Sequence, residues 1–131
     1  MKYFTIKELC KSTTATSKKI DNSPNSEIVN NLKQLVHNIL DPLREEYGKP
    51  INVNSGYRCD ALNKAVGGSN TSQHRYGLAA DITTGSKLRN KQLFILAQQM
   101  NLPFDQLIDE KTYSWIHISF SKEPRKQVLH L

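Results

Sequence analysis

Ser72-Gln73-His74-Arg75-Tyr76-Gly77-Leu78-Ala79-Ala80-Asp81-Ile82-Thr83 is a loop running into a strand, and the remaining sequence is best read outward from it. Side chains alternate along a strand, so Leu78, Ala80 and Ile82 share one face and Ala79, Asp81 and Thr83 the other. His74 precedes Asp81 by seven residues, a step that in a straight strand would put the two on opposite faces. They can meet only if the chain bends between them, and Gly77 supplies the bend. Ala79 leaves space beside Asp81.

A second strand, Ser114 to Phe120, divides in the same way. Ile116, Ile118 and Phe120 form an apolar face, and Trp115, His117 and Ser119 form the other. If the two strands are neighbours, His117 and Asp81 point into one cleft and His74 joins them from the loop. Two imidazoles, one carboxylate and an open fourth position suit a catalytic zinc ion, which lowers the pKa of a bound water toward about 7 and polarises a carbonyl. Periodicity alone leaves another reading open: two ordinary histidines and a structural aspartate. His37 and His130 read as surface or packing histidines.

The other elements follow from local signals. Thr5 and Glu8 form a capping box, with Phe4 and Leu9 placed as a hydrophobic staple. Lys11 to Asn25 is polar and reads as a loop. Ser23 and Pro24 are expected to open a long helix whose Ile28, Leu32, Leu35, Ile39 and Leu43 form one apolar stripe. Pro42 should kink or split it near Leu40-Asp41, and Gly48 should end it. A short strand over Ile51 to Asn54, a helical turn within Arg58 to Val66, and a loop over Gly67 to Ser72 come next. Ser86 caps a second long helix bearing Leu88, Phe94, Leu96, Ala97 and Met100. Asp105 to Glu110 and Ser114 to Phe120 form a hairpin around Lys111-Thr112-Tyr113. The expected fold class is α+β: a single domain spanning 1–131, with a small, mostly antiparallel sheet, flanking helices and the zinc site on the open face of the sheet. Its core covers about residues 4–120, followed by a polar, basic tail at 121–131.

Composition narrows the function. Eighteen Lys plus Arg against 12 Asp plus Glu give a formal charge of +6, which suits an anionic partner such as a bacterial cell wall. No block of like charge and no basic run interleaved with aromatics appears, so a nucleic-acid binder rests on charge alone, and no nucleic acid is expected as a partner. No apolar run reaches the roughly 20 residues of a membrane span, and no Sec signal is visible at the first residues. Cys10 and Cys59 read as free thiols rather than a disulfide framework.

Ser72-x-His74-x-x-Gly77-x-Ala79-x-Asp81, followed by Trp115-x-His117, resembles the M15 family of zinc peptidases, of the D-alanyl-D-alanine carboxypeptidase and endolysin type. Ser55-Gly56-Tyr57-Arg58, Asn63, Gly67-Gly68-Ser69, Phe4-Thr5 to Leu9 and Asp21-Asn22-x-Pro24 are similar to its small single-domain members. The resemblance implies one Zn2+ on His74, Asp81 and His117. It implies that Arg58 holds the substrate or stabilises the oxyanion, a task suited to a permanent, planar charge. Ser72 matches a substrate-contacting serine, and Trp115 is expected to pack against site or substrate. Several relatives carry an acid three residues before the last zinc histidine. Here that position is Ser114, which cannot act as a base. Glu110 matches an acid at the end of the preceding strand in the small members and is preferred as general base over its neighbour Asp109.

The resemblance thus implies a zinc metallopeptidase acting on peptidoglycan stem peptides, as a carboxypeptidase or a related endopeptidase. The alternative is a non-catalytic, zinc-containing wall-binding or structural module on the same fold. A monomer is expected, cytoplasmic until released to the wall by phage or prophage lysis or carried on a virion.

Overall fold

The computed structural model describes residues 1–131. Its helices are α1 (Ile6–Cys10), α2 (Thr13–Ser17), α3 (Ser26–Leu35), α4 (Asp41–Tyr47), α5 (Asp60–Ala65) and α6 (Lys87–Gln99). Its strands are β1 (Asn52–Ser55), β2 (Ala79–Thr83), β3 (Phe104–Glu110), β4 (Trp115–Phe120) and β5 (Gln127–His130). They form one sheet in the order β1-β2-β4-β3-β5, antiparallel except where β5 runs parallel to β3. The α+β expectation therefore holds, with one parallel pair added.

Side-chain caps set the helix starts. Thr5 Oγ1 accepts from Glu8 N at 3.1 Å, and Ser86 Oγ accepts from Arg89 N at 3.1 Å. The long first helix begins later than expected. Asn25 Oδ1 accepts from Ile28 N at 2.9 Å, whereas Ser23 N and Oγ both donate to Asp21 Oδ1, so Ser23 sits in a turn before the helix. The presumed loop at 11–25 contains α2, capped by Ser12 Oγ at 3.1 Å from Ala15 N. Pro42 acts as expected. Its ring cannot tolerate a regular turn, and the chain widens into one π turn, Val36–Leu40, in which Asp41 N reaches back to Val36 O.

The stripe of α3, the π turn and α4 buries Leu32, Leu35, Ile39 and Leu43 against Ala80 and Ile82 of β2 and Ile116 and Ile118 of β4. Truncating any of these leucines to Ala should cost about 2–5 kcal/mol. On α6 the buried face is Asn90, Leu93, Phe94 and Ala97, while Leu88 is exposed. Asn90 Nδ2 donates to Tyr113 O at 2.9 Å, tying α6 to the β3–β4 turn. That turn holds Lys111, Thr112 and Tyr113 all at positive φ, 47°, 54° and 60°. Such a run of non-glycine residues in the left-handed region persists only where its surroundings fix it. Asp109 Oδ1, accepting from Tyr113 N at 2.5 Å, is the second fixing contact.

The polar, basic tail contains a strand that sequence reading did not expect: β5 pairs Gln127 to His130 with Gln106 to Asp109 and covers the edge of β3. Four residues, mostly exposed, held by main-chain pairing on a sheet edge carry little hydrophobic alternation to read. No helix is long and apolar enough to cross a membrane.

Candidate metal centre

The sheet face opposite the core carries the chemistry. Cross-strand pairing places Asp81 of β2 directly opposite His117 of β4, and His117 opposite Ile108 of β3. Glu110 pairs with Trp115 one step further along the same face. His74 arrives from a 3-10 turn, Gln73–Tyr76, closed by Gly77 at φ 72°. A Cβ there would lie 3.1 Å from both Cγ2 and O of Ile28, so position 77 needs both the positive φ and the absent side chain. The bend expected at Gly77 is therefore present.

His74, Asp81 and His117 converge, with one ligand atom from each, all within 4.8 Å of one another. His117 Nδ1 lies 3.0 Å and His74 Nε2 3.2 Å from the same oxygen, Asp81 Oδ1. His74 is buried, and its Nδ1 sits 2.7 Å from Gly56 O. A carbonyl only accepts, so Nδ1 donates to Gly56 O and Nε2 is the ring atom turned toward the carboxylate. Two nitrogens and one carboxylate oxygen, with His74 held from behind by Gly56 O, fit Zn2+ in a cleft open to solvent. Burial pushes the Asp81 carboxyl up, but hydrogen bonds from His117 and His74 and their charge outweigh it and hold it well below the usual carboxylate range.

Arg58 lies beside this cluster and is mostly buried. Its Nε donates to Ser55 Oγ at 3.1 Å, Nη1 to Asn63 Oδ1 at 3.4 Å and Nη2 to Asp81 Oδ2 at 3.5 Å. A register slip in β1 puts Ser55 opposite Asp81, which is how Ser55 reaches the arginine. Asn63 is buried, and its Nδ2 donates to Ser69 O at 2.9 Å, so one side chain links Arg58 to the glycine-rich loop.

These groups line one cleft of about 590 Å³, together with Ser72, Glu110 and Trp115. Ser72 Oγ accepts from His74 N at 3.2 Å, capping the 3-10 turn while its own proton stays free. Trp115 is half-buried, with Lys111 Nζ 5.6 Å from its ring centre. Register separates the two carboxylates that sequence left as rivals. Glu110 shares the cleft face with Trp115 and His117, whereas Asp109 pairs with Ile116 on the other face and is held by Tyr113 N and by His130 Nδ1 at 3.1 Å. Ser114 Oγ donates to Lys111 O at 2.7 Å, a turn contact.

Sequence reading missed the far wall. A bulge in β3 sets Phe104 opposite Phe120 and Leu107 opposite Ile118, so both face the core and Asp105 and Gln106 turn together toward the cleft side. Buried Asp105 accepts from Gln73 Nε2 at 2.9 Å and from Arg125 Nε and Nη2 at 3.0 and 2.7 Å. Gln73, Gln106 and Arg125 all line the cleft. Gln73 Oε1 is the one buried side-chain polar atom with no partner, at a cost of about 1–3 kcal/mol.

Two comparisons bear on this site. The family model described as Peptidase M15 matches residues 2–119. A stretch of 49 residues is 47% identical to the "Zinc D-Ala-D-Ala carboxypeptidase" of Streptomyces albus G, covering 37% of this chain and 19% of that protein. The match thus spans less than a fifth of the relative's length.

Proposed function

The chain belongs to the peptidase M15 family, and from that premise we propose that it is a zinc metallopeptidase hydrolysing peptide bonds of peptidoglycan stem peptides. The observation that carries this reading is the convergence of His74, Asp81 and His117 on one point in a cleft also lined by Arg58 and Glu110. When bound, Zn2+ lowers the pKa of a coordinated water and polarises the scissile carbonyl. His74, Asp81 and His117 would hold the ion, with Gly56 O and Arg58 fixing the orientation of His74 and Asp81. Glu110 receives the proton of the attacking water on a carboxylate oxygen and delivers it to the leaving nitrogen. Arg58 offers N–H donors to the charge that develops on the carbonyl oxygen, its fork already oriented by Ser55, Asn63 and Asp81. Ser72 and Trp115 contact the peptide from the rim. The excess positive charge favours retention on an anionic wall and weakens with salt. The chain would meet that wall after phage or prophage lysis, or as part of a virion.

Mass spectrometry of muropeptides incubated with the zinc-loaded chain, with and without a chelator, tests the reading. Chelator-sensitive loss of a stem-peptide residue or scission of a cross-link is expected. An unchanged muropeptide profile with one zinc per chain would overturn it. A non-catalytic, zinc-braced wall-binding module draws support from Ser114, which stands where several relatives carry an acid and makes only a turn contact. Hydrolysis that Glu110→Gln removes without loss of zinc excludes that second reading.

A further inference from the structure

Two guanidinium groups line the cleft, Arg58 and Arg125, and their donors are spent differently. Arg58 commits Nε, Nη1 and Nη2 to protein oxygens. Arg125 commits Nε and Nη2 to Asp105, and its backbone N to the same carboxylate at 2.9 Å, but Nη1 has no partner in the protein. Its side chain is 58% exposed, whereas that of Asp105 is 5% exposed. A buried carboxylate thus anchors an exposed guanidinium from behind, and Gln73 Nε2 braces the carboxylate. The free edge of the fork, Nη1 with the remaining hydrogen of Nη2, is the geometry that binds a carboxylate through parallel hydrogen bonds.

Position along the sheet sets the reach. Asp105 and Gln106 lie two to three residues along β3 from Ile108, the partner of His117. At about 3.3 Å per residue that is roughly 7–10 Å from the metal ligands. An extended peptide advances by a similar amount per residue, so this edge meets a group within about three residues of the bond being cut.

We propose that Arg125, braced by Asp105 and Gln73, forms a subsite that binds a free carboxylate of the peptide within three residues of the scissile bond. This deepens the stem-peptide reading and rests on it for the substrate class. A lysine-containing stem peptide offers two such carboxylates, the C-terminal one and the α-carboxylate of γ-linked D-Glu, and the test separates them.

Three peptides serve as probes: L-Ala-γ-D-Glu-L-Lys-D-Ala-D-Ala, its C-terminal amide, and its analogue amidated at the D-Glu α-carboxylate. Binding to the zinc-loaded chain is measured by calorimetry, and cleavage by mass spectrometry. One of the two amidations should weaken binding about tenfold and identify which carboxylate is bound. Arg125→Gln should bring that ratio to about one, and Arg125→Lys should keep part of it. The ratio is taken within each variant, so a reduced folded fraction does not distort it. Should Arg125→Gln fail to fold with Asp105 left unpaired, the double variant Arg125→Gln, Asp105→Asn replaces it. Peptides that bind with this preference but are not cut leave the subsite standing and remove the hydrolytic reading. Equal binding of all three peptides, no binding at all, or a preference that survives Arg125→Gln overturns the subsite, whether or not cleavage occurs.

Discussion

Asp81 and His117 are direct cross-strand partners, and His117 Nδ1 lies 3.0 Å from the same Asp81 oxygen that His74 Nε2 approaches to 3.2 Å. Antiparallel register brings the first two together, and the Gly77 bend brings the third. If these three side chains hold Zn2+, His74→Ala, Asp81→Ala and His117→Ala should each weaken zinc binding at least about 100-fold and abolish hydrolysis in parallel. Metal analysis after dialysis against a weak chelator reads this directly. His37→Ala, on the exposed side of the π turn, should leave one zinc per chain. Full zinc retention in all three ligand variants would contradict the assignment.

The two neighbouring carboxylates at the end of β3 should fail in different ways. Glu110→Gln removes only the proton acceptor on the cleft face, so the rate should fall by roughly 10²–10⁴ while zinc content and melting temperature hold. Asp109→Asn instead weakens the contacts to Tyr113 N and His130, so its expected signature is a lower melting temperature with zinc still bound. Glu110→Gln retaining wild-type turnover would remove Glu110 from the mechanism.

Gly68 tests how Arg58 is aimed. A Cβ at this position would stand 2.0 Å from Asn63 Oδ1 and 3.1 Å from Arg58 Nη1. Asn63 is buried and bonded at both ends, so it cannot swing aside without releasing either the loop at Ser69 or the guanidinium. Gly68→Ala should therefore lower kcat/KM about tenfold or more while zinc stoichiometry is kept. Wild-type kinetics in this variant would show that Asn63 does not orient Arg58.

Much of the centre was legible because period-two alternation places Asp81 and His117 on the strand faces turned away from the apolar core, and the pairing of β2 with β4 then sets them side by side. The hairpin, the α6 cap at Ser86 and the break at Pro42 were legible for similarly local reasons. Asp109 and Glu110 could not be separated, because parity is meaningful only once the pairing of β3 with β4 is known. Arg125 was invisible for a different reason. It is brought to the cleft by a β3 bulge and a short parallel edge strand, and both depend on long-range pairing rather than on any local pattern. Likewise Ser23 reads as the helix cap from local sequence, and the cap falls at Asn25 because the Asp21 turn occupies Ser23.

The Asp105–Arg125 contact carries a pH signature. Hydrogen bonds from Arg125 hold the Asp105 carboxyl below its ordinary value, outweighing the opposing effect of burial. Its folded pKa is therefore lower than the unfolded value of about 3.9. The unfolded chain binds the proton first as pH falls, so the stability contributed by this carboxylate is complete above about pH 5 and is lost as pH drops through 3.9 toward the folded value. Asp105→Asn removes that dependence. The other carboxylates titrate in both proteins, so the melting-temperature gap between them isolates Asp105. Measured by calorimetry in excess chelator, which keeps metal release out of the comparison, the gap should be widest near pH 6 and shrink progressively toward pH 3. A gap that stays constant over that range, or widens as pH falls, would mean that Arg125 does not stabilise the ionised carboxylate in the folded chain.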